Sequence, residues 1–135
     1  QSISVLAVPS GAPLATLPTA GSPYPIQVRS AGDYLYYATS LGRLYRTTLP
    51  DGAELDSLQL PAISHHLLLH PNDQLLYVST RSGGSVLEVD ANTMQVTRTF
   101  ATGGVTQALA MSPDGAELYV ADEQGSLHVI ELGPG

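Results

Sequence analysis

The chain has 135 residues, with twelve carboxylates against five arginines and no lysine, for a formal charge of −7. That is the length of one ordinary domain, enough to bury roughly 68% of the surface exposed by the unfolded chain. The absence of cysteine excludes a disulfide framework and thiolate metal sites, and the scatter of Arg29, Arg43, Arg46, Arg81 and Arg98 argues against nucleic acid or anionic membrane as partners.

In chain order, residues 1–18 form half a unit. Ser2 to Val8 and Pro13 to Leu17 are two short strand patterns joined by the turn Pro9-Ser10-Gly11. A full unit follows over 26–60. It holds Leu35-Tyr36-Tyr37-Ala38-Thr39 after the turn Ala31-Gly32-Asp33, and its last hairpin turns at Pro50-Asp51-Gly52. The next unit, 66–100, has His66 to His70 as its first strand, then the turn Pro71-Asn72-Asp73. Leu75 to Thr80, Ser85 to Asp90 and Gln95 to Phe100 are its further strands. The last unit, 107–132, is incomplete, with Ala108 to Ser112, the turn Pro113-Asp114-Gly115, Glu117 to Ala121 and Ser126 to Glu131. In this turn Pro presets φ, Asp bonds its own backbone and Gly takes the left-handed conformation.

Leu-Tyr recurs at Leu35-Tyr36, Leu76-Tyr77 and Leu118-Tyr119, 41 and 42 residues apart. A period near 40 with four short strands per unit predicts an all-β fold of β-propeller blades, four-stranded antiparallel meanders. Thirteen strands, in groups of two, four, four and three, amount to about three blades. No stretch carries a sustained 3.6-residue apolar period with caps, so almost no helix is expected.

The segments Ser112-Pro113-Asp114-Gly115 with Leu118-Tyr119-Val120-Ala121-Asp122, and Leu76-Tyr77-Val78-Ser79-Thr80 leading to Val86-Leu87-Glu88-Val89-Asp90, resemble the YVTN-type β-propeller repeat family. That family includes surface-layer-like proteins and seven-bladed lactonase-like propellers. The resemblance covers nearly the whole chain, is weakest over the first 25 residues, and is specific for the blade rather than for an activity. It implies a ring of about six to eight blades. A chain of about three leaves apolar blade faces and strand edges to be covered. Two chains could complete a ring as a homodimer, the chain could belong to a larger polypeptide, or another protein could cover its ends.

Position then selects the candidate site. In propellers the loop leading into the first, innermost strand of each blade lies at the rim of the central channel. Aligning the units sets Tyr24-Pro25 beside Ser64-His65 and Thr106-Gln107, with His66 matched by Ile26 and Ala108. Tyr24, Ser64, His65, His66, Thr106 and Gln107 are the predicted ligand-binding residues.

No metal site is expected. On one strand His66 and His70 stand roughly 13 Å apart at 3.3 Å per residue, and no carboxylate lies at ligand spacing. No catalytic residue and no cofactor are predicted, because there is no Gly-x-Ser-x-Gly elbow and no helix follows Gly83-Gly84 or Gly103-Gly104. Glu88, Asp90 and Glu131 are expected on outward, solvated faces. Tyr36, Tyr77 and Tyr119 are expected to pack between blades.

The expected function is a non-enzymatic repeat module presenting loops to a protein or small-molecule ligand. The alternatives are a lactonase-like enzyme with a polar site in its channel, or a structural piece that completes a larger ring. No membrane insertion is expected, since no apolar run approaches the ~20 residues of a bilayer span. An extracytoplasmic compartment, periplasmic or secreted, is favoured.

Overall fold

A computed structural model describes residues 1–133, and every regular element in it is a strand. The half blade consists of β1 (Ser2–Leu6) and β2 (Pro13–Pro18). The first blade follows with β3 (Pro23–Val28), β4 (Tyr34–Thr39), β5 (Arg43–Thr48) and β6 (Glu54–Gln59). The second blade holds β7 (Leu67–Leu69), β8 (Leu75–Thr80), β9 (Ser85–Asp90) and β10 (Val96–Ala101). The third holds β11 (Thr106–Met111), β12 (Glu117–Asp122) and β13 (Leu127–Glu131). Each sheet is an antiparallel meander whose spatial order follows the chain order.

The turns between first and second strands show how local chemistry sets the repeat. Gly32, Asp73 and Gly115 occupy the same position, four residues before the repeated tyrosine, and all three take left-handed φ values of 73°, 60° and 75°. Glycine reaches this conformation without steric cost, and aspartate is among the few other residues that tolerate it. Gly115 is constrained a second way. A Cβ there would lie 2.4 Å from Nε2 of His70, whereas one on Gly32 would meet nothing.

Blades stack face to face, because alternate residues of each strand point to opposite faces of its sheet. Between the first and second blades, Tyr36, Ala38 and Leu44 meet Leu67, Leu76, Val78, Leu87 and Val89. Between the second and third, Tyr77 and Val86 meet Leu109, Leu118 and Val120. The half blade lays Ile3 and Leu17 on Leu35, Tyr37 and Tyr45 of the first blade. Across blades the first strands take part in each of the main strand contacts, β3 against β7 and β11 against both β7 and β8, so they form the inside of the arc.

The two ends stay bare. Ala108, Ala110, Leu127 and Val129 are exposed on the third blade's free face, as are Ile26 and Val28 on β3.

Paired strands place two of the repeated tyrosines, Tyr36 and Tyr77, opposite cross-strand ion pairs of reversed polarity, while Tyr119 faces Val129. In the first blade Tyr36 faces Arg46, which binds Asp56 with Nη2–Oδ2 at 2.8 Å. In the second blade Tyr77 faces Glu88, which binds Arg98 with Oε2–Nη2 at 2.7 Å. The same two positions thus carry a base and an acid in one blade, and an acid and a base in the next.

This arrangement corrects the expectation that Glu88 is solvated: it is 3% exposed. Burial alone would raise its carboxyl, but bonds from Arg98, Thr97 and Tyr77 outweigh it and hold the group below its ordinary 4.5. The Tyr77 hydroxyl, buried and donating to Glu88 at 2.8 Å, is pushed far above its usual range. Tyr36 has an arginine opposite it, which accepts nothing. Its hydroxyl instead donates 2.8 Å across the seam to the carbonyl of Ala91.

Candidate functional site

Each blade begins with the same irregularity. The amides of Ser40, Arg81 and Glu123 donate to the carbonyls of Ser22, Ile63 and Val105, each at 2.9 Å. Further along, Pro23 pairs with Thr39 but Ile26 with Tyr37, and Thr106 pairs with Asp122 but Ala108 with Ala121. In the second blade the amide of Ser79 donates to the carbonyl of His66 at 3.1 Å. In every blade one extra residue is inserted at the start of the first strand, a β-bulge, the device that re-aims a side chain at a sheet's rim.

The bulge revises the alignment of the units. Pro23, Ser64 and Thr106 are equivalent, then Tyr24, His65 and Gln107, then Pro25, His66 and Ala108. Tyr24 therefore matches His65 rather than Ser64, and Ile26 matches Leu67 rather than His66. The expected first strand His66 to His70 shrinks to Leu67–Leu69, because the bulge takes up its start and the His70 turn its end.

Local chemistry holds the bulge open. In the first blade Pro23 and Pro25 have no amide hydrogen to give the ladder. In the second, the Ser79 hydroxyl accepts from the amides of His65 and His66 at 3.3 and 3.0 Å, and Ser64 Oγ donates to the His66 carbonyl at 3.0 Å.

The predicted residues then divide. Ser64 and Thr106 are buried, and Thr106 Oγ1 donates to the Thr80 carbonyl at 3.1 Å, so their hydroxyls are spent on the fold. Tyr24, His65 and Gln107 stand at the rim. The rings of Tyr24 and His65 meet across the first seam with centroids 5.1 Å apart and planes tilted by 42°. Tyr24 is 71% exposed, an unusual setting for a large ring. Gln107 donates from Nε2 to Oε1 of Glu123, and the same oxygen takes a 2.9 Å ion pair from Nη2 of Arg81 across the second seam. Both members of that pair are open to water, so it adds under ~1 kcal/mol of stability. Its value lies in holding charged groups in place.

His66 lies beneath the rim. Its Nδ1 accepts the Leu109 amide of the third blade at 2.9 Å, and burial depresses its pKa below the ordinary 6.5.

Arg81 and Glu123 were missed among the site residues. The signal was present, since both stand four residues after a repeated tyrosine, where the first blade has Ser40. Among the described residues, no group of three or more His, Asp or Glu side chains is placed to hold a metal. No helix there is long and apolar enough to cross a membrane. A recess of about 440 Å³, lined by Asp114, Ala116, Glu117, Glu131 and Gly133, lies away from the rim beside the third blade's bare edge.

The fold is that of a β-propeller. No family model matches the chain. It is 38% identical over 76 residues to uncharacterized protein YncE of Salmonella typhimurium, and equally to that of Salmonella typhi. The match takes in 56% of this chain but spans only 21% of each relative. Among solved structures, Kuenenia stuttgartiensis hydrazine synthase superposes with a TM-score of 0.88 at 14% identity, covering 97% of this chain and 40% of that one. The structure of U3-55K superposes at 0.78 and 14% identity, covering 85% and 37%. At such identities the likeness carries the fold alone.

Proposed function

We propose that the chain is a non-enzymatic propeller module of the YVTN-repeat type that binds a ligand at the rim formed by Tyr24, His65, Gln107, Arg81 and Glu123. The observation that carries this reading is the bulge repeated in all three blades. It lifts one residue per blade out of the ladder on the inside of the arc, and the three residues lifted are Tyr, His and Gln. Conformationally restrained aromatic rings beside fixed hydrogen-bonding groups are what orient a ligand.

The test is NMR titration with two probe sets, short peptides and small neutral sugars. Shifts confined to the amides of residues 22–24, 63–66, 105–107 and 123, and lost in Tyr24→Ala, support the reading. Shifts elsewhere, or none with either set, overturn it. Turnover of a simple lactone by the same sample would favour the lactonase-like alternative.

A second reading concerns assembly. The bare faces of the third blade and of β3 support ring completion, by a second copy or by further blades. Light scattering distinguishes these: a mass near twice 14.1 kDa fits a closed pair, and a monomer fits an arc completed by other chain.

A further inference from the structure

The seam between the second and third blades carries two imidazoles, one at each end of β7, and both rings bond to backbone with defined protonation. His66 Nδ1 accepts the Leu109 amide at 2.9 Å, so that nitrogen carries a lone pair and no proton. His70 Nδ1 accepts the Asn72 amide at 3.1 Å, which leaves Nε2 to donate to the Gly115 carbonyl at 3.0 Å. Both rings are therefore neutral in this packing. His70 is 3% exposed and fills the space that a Cβ on Gly115 would need.

The first seam is built otherwise. Its one histidine, His65, lies against Tyr24 at the exposed rim and, among the described residues, bonds no backbone group of the first blade. Its hydrogen bonds are the Leu69 amide to Gln27 Oε1 at 3.3 Å, Arg29 Nη1 to Asn92 Oδ1 at 3.0 Å, and the Tyr36 hydroxyl to the Ala91 carbonyl. None of the groups in these hydrogen bonds changes charge between pH 5 and 8.

We propose that the joint between the second and third blades is an acid-released latch, with His66 as the trigger and His70 as the lock at the far end. A proton on His66 Nδ1 points at the Leu109 N–H and turns an attraction across the seam into a repulsion. His70, bonded to the Gly115 carbonyl, holds the far end of the seam.

The surroundings offer His66 no compensation: its neighbours are Ser79 and Ser64 on its own blade and the backbone of β11, with no charged side chain bonded to it among the described residues. Near His70 are the Tyr77 ring from β8, Asp73 on its own turn and Asp114 beside Gly115. Asp73 takes a bond from Ser30, and Asp114 is bound by Ser112 and the Ala116 amide, so both carboxylates are engaged elsewhere.

The sign follows from linkage. A ring whose pKa is lowered by folding binds more protons in the open state, so the latch weakens as pH falls below 6.5. Opening grows by up to about tenfold per pH unit until the folded value is reached. Release would part Arg81 from Glu123 across the same seam and so break the rim on that side.

Amide hydrogen exchange on the wild-type chain, corrected for intrinsic rate, tests this between pH 7.5 and 5.0. Leu109 protection is expected to fall at least tenfold while Leu69 holds. His66→Asn, which keeps an acceptor that does not titrate, is expected to abolish the step. Equal loss at both amides, or an unchanged step in H66N, would overturn the proposal. Should H66N fail to fold, the comparison of the two amides in the wild type decides alone.

Discussion

The two seams of this arc repeat one geometry with different chemistry. Eleven buried residues join the first and second blades, and five join the second and third, where two histidines bridge the remainder. The first seam draws polar bonds from tyrosine, arginine and glutamine across to the next blade. In the second, the corresponding tyrosine turns inward to Glu88. The lesson concerns charge order. Because the ion pair is made across strands within one blade, reversing it leaves the blade intact but changes what the tyrosine can bond to. That choice decides whether the tyrosine ties two blades together.

The largest effect is expected where the first seam is most apolar. Leu76→Ala removes a side chain with no exposed surface from that cluster and should cost about 3 kcal/mol in urea denaturation, within the usual range for a buried leucine. Leu118→Ala, in the smaller second cluster with a bare face behind it, should cost less. Equal losses would mean the seams do not differ in packing.

The charge order can be tested by reversing it. Glu88→Arg alone places a cation opposite Arg98 in a buried site and should cost about 3 kcal/mol. Adding Arg98→Asp copies the first blade and should recover much of that loss in the same denaturation experiment. If the double variant is no more stable than the single one, the two blades are not equivalent at this position.

The lock at His70 is sharpened by two glycines. Gly115→Ala and Gly32→Ala both impose the cost of a left-handed alanine, about 1 kcal/mol. Only the former also drives a Cβ into an imidazole. Its melting temperature should drop further, and Gly115→Ala combined with His70→Ala should narrow the gap.

Smallest is the separation of two acid steps. His66 contributes stability that is lost as pH falls below 6.5. Glu88, whose carboxyl is held below its ordinary value, contributes stability that is lost only as pH falls below 4.5. Denaturant midpoints measured from pH 7.5 to 3 should show both, and His66→Asn should remove the upper one alone.

Much of this was legible in the residues themselves. The Leu-Tyr repeat, the turns at Gly32, Asp73 and Gly115, and the alternation of the strands are local, since each depends on neighbours within a few positions. The number of strands and their grouping follow from them. What local pattern could not express was the bulge. Tyr24 was set beside Ser64 by matching the segments ahead of each first strand, whereas counting back from the repeated tyrosines sets it beside His65, and the ladder partners Pro23 with Thr39 and Thr106 with Asp122 agree with the count. Nor could it show that Glu88 is buried, because an acid on an alternating strand looks solvated until the next blade closes over it.

By itself the sequence determined the architecture, because turn conformation and strand alternation are dictated by side chains close along the chain. Tertiary structure alone decided which groups meet: Tyr24 with His65, Arg81 with Glu123, His66 with the Leu109 amide and His70 with Gly115. These partners stand 41 to 45 residues apart, one blade along the chain, and they come together only when apolar faces stack and draw the blades into register.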